Sequence, residues 1–118
     1  MGLAITPPGE IDDLDRWLER TRDPNPKVRK SAAHYLCPCE VKANYDDVWD
    51  RLLAMVTDPD AKVRGQVLHA LADGSPRSRE PEVVRAVERM WNDPDESLRR
   101  RVRKLLAQYR RTGKINVL

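Results

Sequence analysis

The chain has 118 residues, of which 35% are charged, and its 22 basic and 19 acidic residues leave a net charge of +3. This length suits one domain, residues 1–118, and is too short for two independent cores; without Phe that core must be largely aliphatic. We expect a cytoplasmic protein without membrane contact, because the sequence shows neither a signal-peptide pattern nor an apolar segment of membrane-spanning length.

Three pairs of amphipathic helices are predicted in chain order. Apolar residues recur at helical spacing in each pair, as Leu14, Trp17 and Leu18 do in the first helix, and strand patterns are absent. Loops with Pro or Gly separate the pairs. The predicted repeats cover about residues 11–37, 44–72 and 81–111, followed by a tail at 112–118; residues 1–10 and this tail are candidate covers for the two ends.

The turn inside each pair repeats a sequence at intervals of 35 residues. The pattern Asp-Pro-x-x-x-(Val or Leu)-Arg begins at Asp23, Asp58 and Asp93. An Asn or Asp two residues after each of these aspartates is a good N-cap for the helix that follows. A period of this size is typical of stacked helical units that cannot bury their apolar faces alone. The sequence therefore predicts an all-α solenoid of three helix pairs.

This repeated motif between amphipathic helices resembles the HEAT-repeat family, including the HEAT-like repeats of phycobilisome lyases. The resemblance covers about residues 11–111, although many family members contain far more repeats. It implies that the turn Asp and helix Arg form a polar ladder between repeats, in which charge-assisted hydrogen bonds fix the stacking. We therefore expect a structural role for Asp23, Asp58, Asp93, Arg29, Arg64 and Arg99.

The resemblance also implies that the second helices of the pairs line a concave face. The first helices carry net charges between −2 and 0, and the second helices carry between +1 and +5. A groove of one sign concentrates partners of the other. We expect a non-enzymatic interaction module or scaffold, a monomer or weak dimer, that binds an acidic protein. The expected concave-face residues are Lys30, His34, His69, Arg100, Arg103 and Lys104.

Other uses of the basic face stay open. A nucleic-acid backbone could bind there by counterion release. Base stacking needs exposed aromatic side chains, whereas Trp17, Trp49 and Trp91 fall at apolar helix positions and are predicted to lie in the core, which favours a protein partner. The lyase-like resemblance suggests a third alternative, an accessory chaperone or lyase-like factor. The basic face could also be only a solvated surface.

Metal binding and catalysis are not favoured by the sequence. His34, Cys37, Cys39 and His69 are residue types that bind Zn²⁺, but a Cys-x-Cys pair departs from the usual spacing, and packed helices lie about 8–10 Å apart. Acidic pairs near the starts of the first helices are explained by the helix dipole. Phosphate-loop and nucleophile motifs are absent. We therefore expect no metal, no cofactor and no enzymatic activity.

Overall fold

The computed structural model describes residues 11–38 and 45–116, with side chains from Leu14 onward, and this part is helical without strands. A short 3₁₀ turn, Met55–Thr57, extends the third helix, and another, Arg77–Arg79, leads into the fifth. The all-α prediction is confirmed. The helices are α1 (Ile11–Arg20), α2 (Pro26–Tyr35), α3 (Asp46–Ala54), α4 (Ala61–Gly74), α5 (Glu80–Arg89) and α6 (Glu96–Thr112).

Side-chain caps start the second helix of each pair. Asn25, Asp60 and Asp95 each accept hydrogen bonds from backbone N–H groups two or three residues later. Pro26 occupies the first turn of α2, where an N–H group would have no helical partner. Because a cap of this kind stabilises a helix by about 1 kcal/mol, the repeated turn sequence determines where α2, α4 and α6 begin.

Aliphatic side chains form a continuous core through the three pairs. Trp49 is buried, as predicted, and Trp17 is half-buried and stacks on Tyr35 with ring centroids 4.4 Å apart. The prediction that Trp91 lies in the core is wrong, because this side chain is 36% exposed. Fully buried core residues include Leu36, Leu52, Val63, Val67, Leu71, Val83, Val87, Val102 and Ile115.

The position of Trp91 in the repeat explains its exposure. Val56 and Thr21 occupy the same position one and two repeats earlier, respectively, and both are buried. Arg51 of the second repeat donates hydrogen bonds to the hydroxyl and carbonyl oxygens of Thr21, and α5 packs against the turn that contains Val56. The described chain has no fourth repeat to cover Trp91 in the same way.

Two arginine–aspartate pairs join successive repeats. Arg29 Nε and Nη2 donate to the two carboxylate oxygens of Asp58, over 2.8 and 3.1 Å. Arg64 makes the same two-bond contact with Asp93, over 2.8 and 2.9 Å. Each arginine also donates to the carbonyl oxygen of its own turn aspartate, Asp23 or Asp58. These contacts form two complete rungs of a ladder.

Asp23 and Arg99 lie at the two ends of this ladder. The Asp23 carboxylate accepts a hydrogen bond from the Asn25 N–H group, and Arg99 donates to the carbonyl oxygen of Asp93. Both side chains therefore bond within their own turn. The described residues contain no repeat beyond either end that could supply the missing partner.

Burial and pairing shift the pKa values of the second rung. The hydrogen bond to Asp93 raises the pKa of Arg64 above its ordinary value. Burial by itself would raise the pKa of Asp93, but hydrogen bonds from Arg64 and from the Asp95 N–H group hold it below its ordinary value. The folded state thus favours the charged form of both partners.

The C-terminal tail returns to the body of the molecule. Gly113 ends α6 with a φ of 72°, and its N–H group donates to the carbonyl oxygen of Tyr109 over 2.7 Å. Beyond it, Ile115 is fully buried, and the Asn116 amide donates to the Ser75 carbonyl oxygen over 2.9 Å. Ile115 therefore packs into the core, and Asn116 contacts the α4–α5 connection. Residues 1–10, the other candidate cover, lie outside the described residues.

Candidate functional site

An open groove lies along the second helices. Helices α2 and α4 pack closely against each other, whereas α4 and α6 make fewer contacts. Gly65 of α4 has no side chain to fill the groove. A β-carbon at this position would lie 3.4 Å from the Arg101 guanidinium. The groove is lined by Lys30 and His34 of α2, by Lys62, Gly65, Gln66 and His69 of α4, and by Ser97, Leu98 and Arg101 of α6, with Asp95 at its edge.

Several predicted concave-face residues lie at or near this groove. Lys30, His34 and His69 line it directly. Lys104 lies on the adjoining part of the α4–α6 cleft. Arg100 is exposed and pairs with Glu96 one turn earlier, over 2.6 Å, rather than lining the groove.

Arg103 departs from the predicted placement. Its guanidinium donates to the Trp91 carbonyl oxygen and to Asn92 Oδ1, each over 3.0 Å, and lies 4.5 Å from the centroid of the Trp91 ring. At the same repeat position, Ala33 and Leu68 are buried inside the stack. Arg103 thus lies on the surface that packs against the next repeat in the first two units, and not on the groove.

Arg101 and Lys62 are groove cations that the sequence-based assignment missed. Residues two apart in an α-helix project about 200° apart, so Arg101 faces α4 whereas Arg103 faces the turn after α5. Arg101 follows Ser31 and Gln66 on the 35-residue interval, and Gln66 also lines the groove. The 35-residue register therefore placed Arg101 at a groove position. The equivalent residues of the earlier repeats are small or neutral, so a search for basic residues did not identify this position.

The groove carries more cations than carboxylates at its opening. Lys30, Lys62 and Arg101 come from three successive second helices. The nearby carboxylates of Asp60 and Asp95 accept backbone N–H hydrogen bonds at the starts of α4 and α6. Both carboxylates cap helix N-termini, where the helix dipole favours negative charge.

A cluster of possible metal ligands contains Cys37 and His69, two of the four residues that the sequence offered for metal binding. Ligand atoms of Cys37, His69 and Asp73 all lie within 4.8 Å of one another. His34 is exposed and packs edge-on against Tyr35, and Cys39 lies outside the described residues. Sequence reasoning missed Asp73, although its position four residues after His69 places both side chains on one face of α4.

The repeated turns, the two arginine–aspartate rungs and the three helix pairs agree with a comparison against known families. A family model for HEAT repeats matches residues 14–117. The chain belongs to the HEAT-repeat family. HEAT repeats generally mediate protein–protein interaction or scaffolding, and the family is typically non-enzymatic. The match is to HEAT repeats in general, so the lyase-like subtype stays a prediction.

This HEAT-repeat protein was also compared with individual curated proteins and with solved structures. No curated protein and no solved structure gives a significant match. Among the described helices, none combines the length and the apolar composition needed to cross a membrane. The groove and the Cys37–His69–Asp73 cluster are therefore interpreted from their own geometry and chemistry.

Proposed function

We propose that this HEAT-repeat protein is a non-enzymatic interaction module whose groove binds an acidic segment of a partner protein. The observation that carries this proposal is the placement of Lys30, Lys62 and Arg101, from three successive helices, on one open groove. A negatively charged segment that follows the groove meets a cation from each repeat. The family's general role in protein interaction supports the same conclusion.

The form of the groove favours a macromolecular partner over a small molecule. Small-molecule sites are usually enclosed and lined mainly by apolar side chains. This groove is open, about 490 Å³ in volume, and lined mostly by polar and charged groups. An extended acidic peptide or helix can contact such a surface without being enclosed. Opposite charges on the two partners also accelerate their association, more strongly at low salt.

Nucleic-acid binding is the second candidate, and the exposed Trp91 favours it. Arg103 and Arg110 lie 4.5 and 5.8 Å from the centroid of its ring, so an aromatic surface and two cations occur together. Single-stranded nucleic acids bind such combinations by stacking. However, the Trp91 patch and the groove lie on opposite sides of α6, and Arg103 already covers the ring. A strand in the groove would not reach this patch, which is why we prefer a protein partner.

A charge-reversal pair tests the proposal. The groove variant is Lys62→Glu with Arg101→Glu. The matched control is Arg85→Glu with Arg89→Glu, which changes the net charge equally on the exposed surface of α5. Wild type and both variants are used as bait in nuclease-treated and untreated lysate, and circular dichroism verifies that all three are folded.

We expect a partner protein that binds to wild type and to the α5 control but not to the groove variant. Nuclease treatment should not release this protein. Its binding to wild type should weaken as salt rises. Equal retention by all three baits would overturn the assignment to the groove. Release by nuclease would transfer the assignment to nucleic acid, and a Trp91→Ala variant would then test the aromatic patch.

A further inference from the structure

We propose that Cys37, His69 and Asp73 form a Zn²⁺ site that joins the first and second repeats. Cys37 follows the C-terminal end of α2, while His69 and Asp73 lie one turn apart near the C-terminal end of α4. One thiol, one imidazole and one carboxylate thus converge from two helices. This set of sulfur, nitrogen and oxygen ligands suits Zn²⁺ and is unsuited to Mg²⁺ or Ca²⁺, which take oxygen ligands.

One distance in the cluster matches that of a tetrahedral site. Zn–S and Zn–O bonds of about 2.3 and 2.1 Å at a tetrahedral angle place the two ligand atoms about 3.6 Å apart. The Cys37 thiol donates to Asp73 Oδ2 over 3.6 Å. The other ligand-atom separations in the cluster do not exceed 4.8 Å. Because the His69 side chain is partly exposed, it has room to turn toward the other two ligands and complete a three-ligand arrangement.

The charges also favour a divalent cation. Binding replaces the Cys37 S–H bond with a Zn–S bond, and the released proton passes to solvent. The thiolate and the Asp73 carboxylate then balance the two positive charges of the metal. Water can fill a fourth position, as it does at zinc sites with three protein ligands. His69 and Asp73 are partly exposed, so the ion can enter from solvent although Cys37 is buried.

The backbone holds the two halves of the site together. A β-carbon on Gly74, the residue after Asp73, would lie 3.1 Å from the Pro38 side chain. The chain after Cys37 therefore approaches the end of α4 as closely as a glycine allows. A metal bound to Cys37, His69 and Asp73 would join the end of α2 to α4. Because the unfolded chain does not hold these ligands together, metal binding should stabilise the folded state.

Cobalt provides a spectroscopic probe of the site. Purified apoprotein in the Cys39→Ser background is titrated with Co²⁺, so that Cys37 is the only thiol. We expect visible bands of tetrahedral Co²⁺ and an ultraviolet thiolate-to-cobalt band, both displaced by added Zn²⁺. Failure of this protein to show the thiolate band would overturn the three-residue site.

His34 supplies a matched control, since it lies 35 residues before His69 in the repeat register. In the same background, His69→Gln and Asp73→Asn should each weaken Co²⁺ binding at least about tenfold, because the loss even of a group that only orients a metal ligand costs about 10–100-fold. His34→Gln should bind like its parent. Equal affinities for His34→Gln and His69→Gln would overturn the proposal.

Thermal unfolding gives a second readout that does not require a Cys37 substitution. Saturating Zn²⁺ should raise the Tm of wild type and of His34→Gln but not that of His69→Gln. An equal rise in all three would show binding at other groups. This test is separate from the groove proposal, whose variants Lys62→Glu and Arg101→Glu leave all three ligands intact.

Discussion

Arginine–carboxylate pairs occur in two very different environments in this molecule. Arg64 and Asp93 are both nearly inaccessible, with side chains only 10% and 4% exposed, and share two hydrogen bonds. Arg100 and Glu96 pair at an exposed site, where the corresponding fractions are 75% and 66%. Water already solvates the exposed pair well, whereas removal of one buried partner leaves a charge that water cannot reach.

The Arg64→Ala substitution should lower the free energy of unfolding by about 3 kcal/mol, because the Asp93 carboxylate would remain buried without its main partner. Arg100→Ala, the exposed control, should produce no measurable change. Urea denaturation of the two variants and wild type measures the difference. Comparable losses in both variants would contradict a structural role for the second rung of the ladder.

At the same scale, sequence reasoning identified the type of each ladder residue but not its burial. The register placed Arg29, Arg64 and Arg99 at equivalent positions. Only the neighbours in space distinguish them: the first two reach an aspartate of the following repeat, and Arg99 bonds within its own turn. A sequence period treats the ends and the middle of a stack alike.

At the scale of a helix, two glycines have opposite roles. Gly113 ends α6 in the left-handed region, where a side chain is strained. Gly65 lies inside α4 with ordinary helical geometry, and its nearest neighbour for an added β-carbon is the flexible end of Arg101. Backbone conformation rather than residue type therefore decides the effect of a substitution.

Gly113→Ala should reduce the free energy of unfolding by about 1 kcal/mol, the cost of a left-handed conformation for an L-residue. Gly65→Ala should increase it by about 0.5–1 kcal/mol, because alanine has the higher helix propensity. Paired thermal and urea denaturation would measure both effects. The same sign of change in the two variants would be inconsistent with the backbone conformations described.

For the molecule as a whole, the second rung of the ladder couples stability to pH. Asp93 has a folded-state pKa below its ordinary value, while an aspartate in an unfolded chain titrates at about 3.9. Between these two pKa values the unfolded state binds more protons than the folded state. Stability is thus fully present above about pH 4 and is lost as the pH falls through the folded-state pKa.

Wild type should therefore lose stability steeply below about pH 4, and Asp93→Asn should show a shallower pH dependence from a lower starting stability. Urea denaturation between pH 2 and 7 gives the two profiles. The comparison uses the slope of unfolding free energy against pH, since the variant also leaves Arg64 without its carboxylate. Parallel slopes would show that other acidic groups dominate acid unfolding.

The exposed end of the stack also belongs to the whole-molecule scale. Trp91 and Arg103 occupy repeat positions that neighbouring units cover in the first two repeats. Together with Arg110, they form a cation–aromatic surface where α5 and α6 meet solvent. Helical periodicity predicted that Trp91 is buried because it lies at an apolar position of the helix. Periodicity does not show whether another repeat packs against that position.

The sequence by itself determined the all-α solenoid, the starts of α2, α4 and α6, and the family. These features depend on local patterns, namely helical periodicity, N-cap residues and a turn repeated every 35 residues, each of which acts within a few neighbours along the chain. The positive charge of the second helices was likewise visible as composition.

Only the tertiary structure decided which side chains meet. It placed Arg101 rather than Arg103 on the groove and brought Asp73 beside Cys37 and His69. These outcomes depend on how helices distant in sequence are rotated and spaced. Because each residue turns an α-helix by about 100°, positions two apart face nearly opposite directions, and a one-dimensional pattern does not contain the rotation of one helix against another.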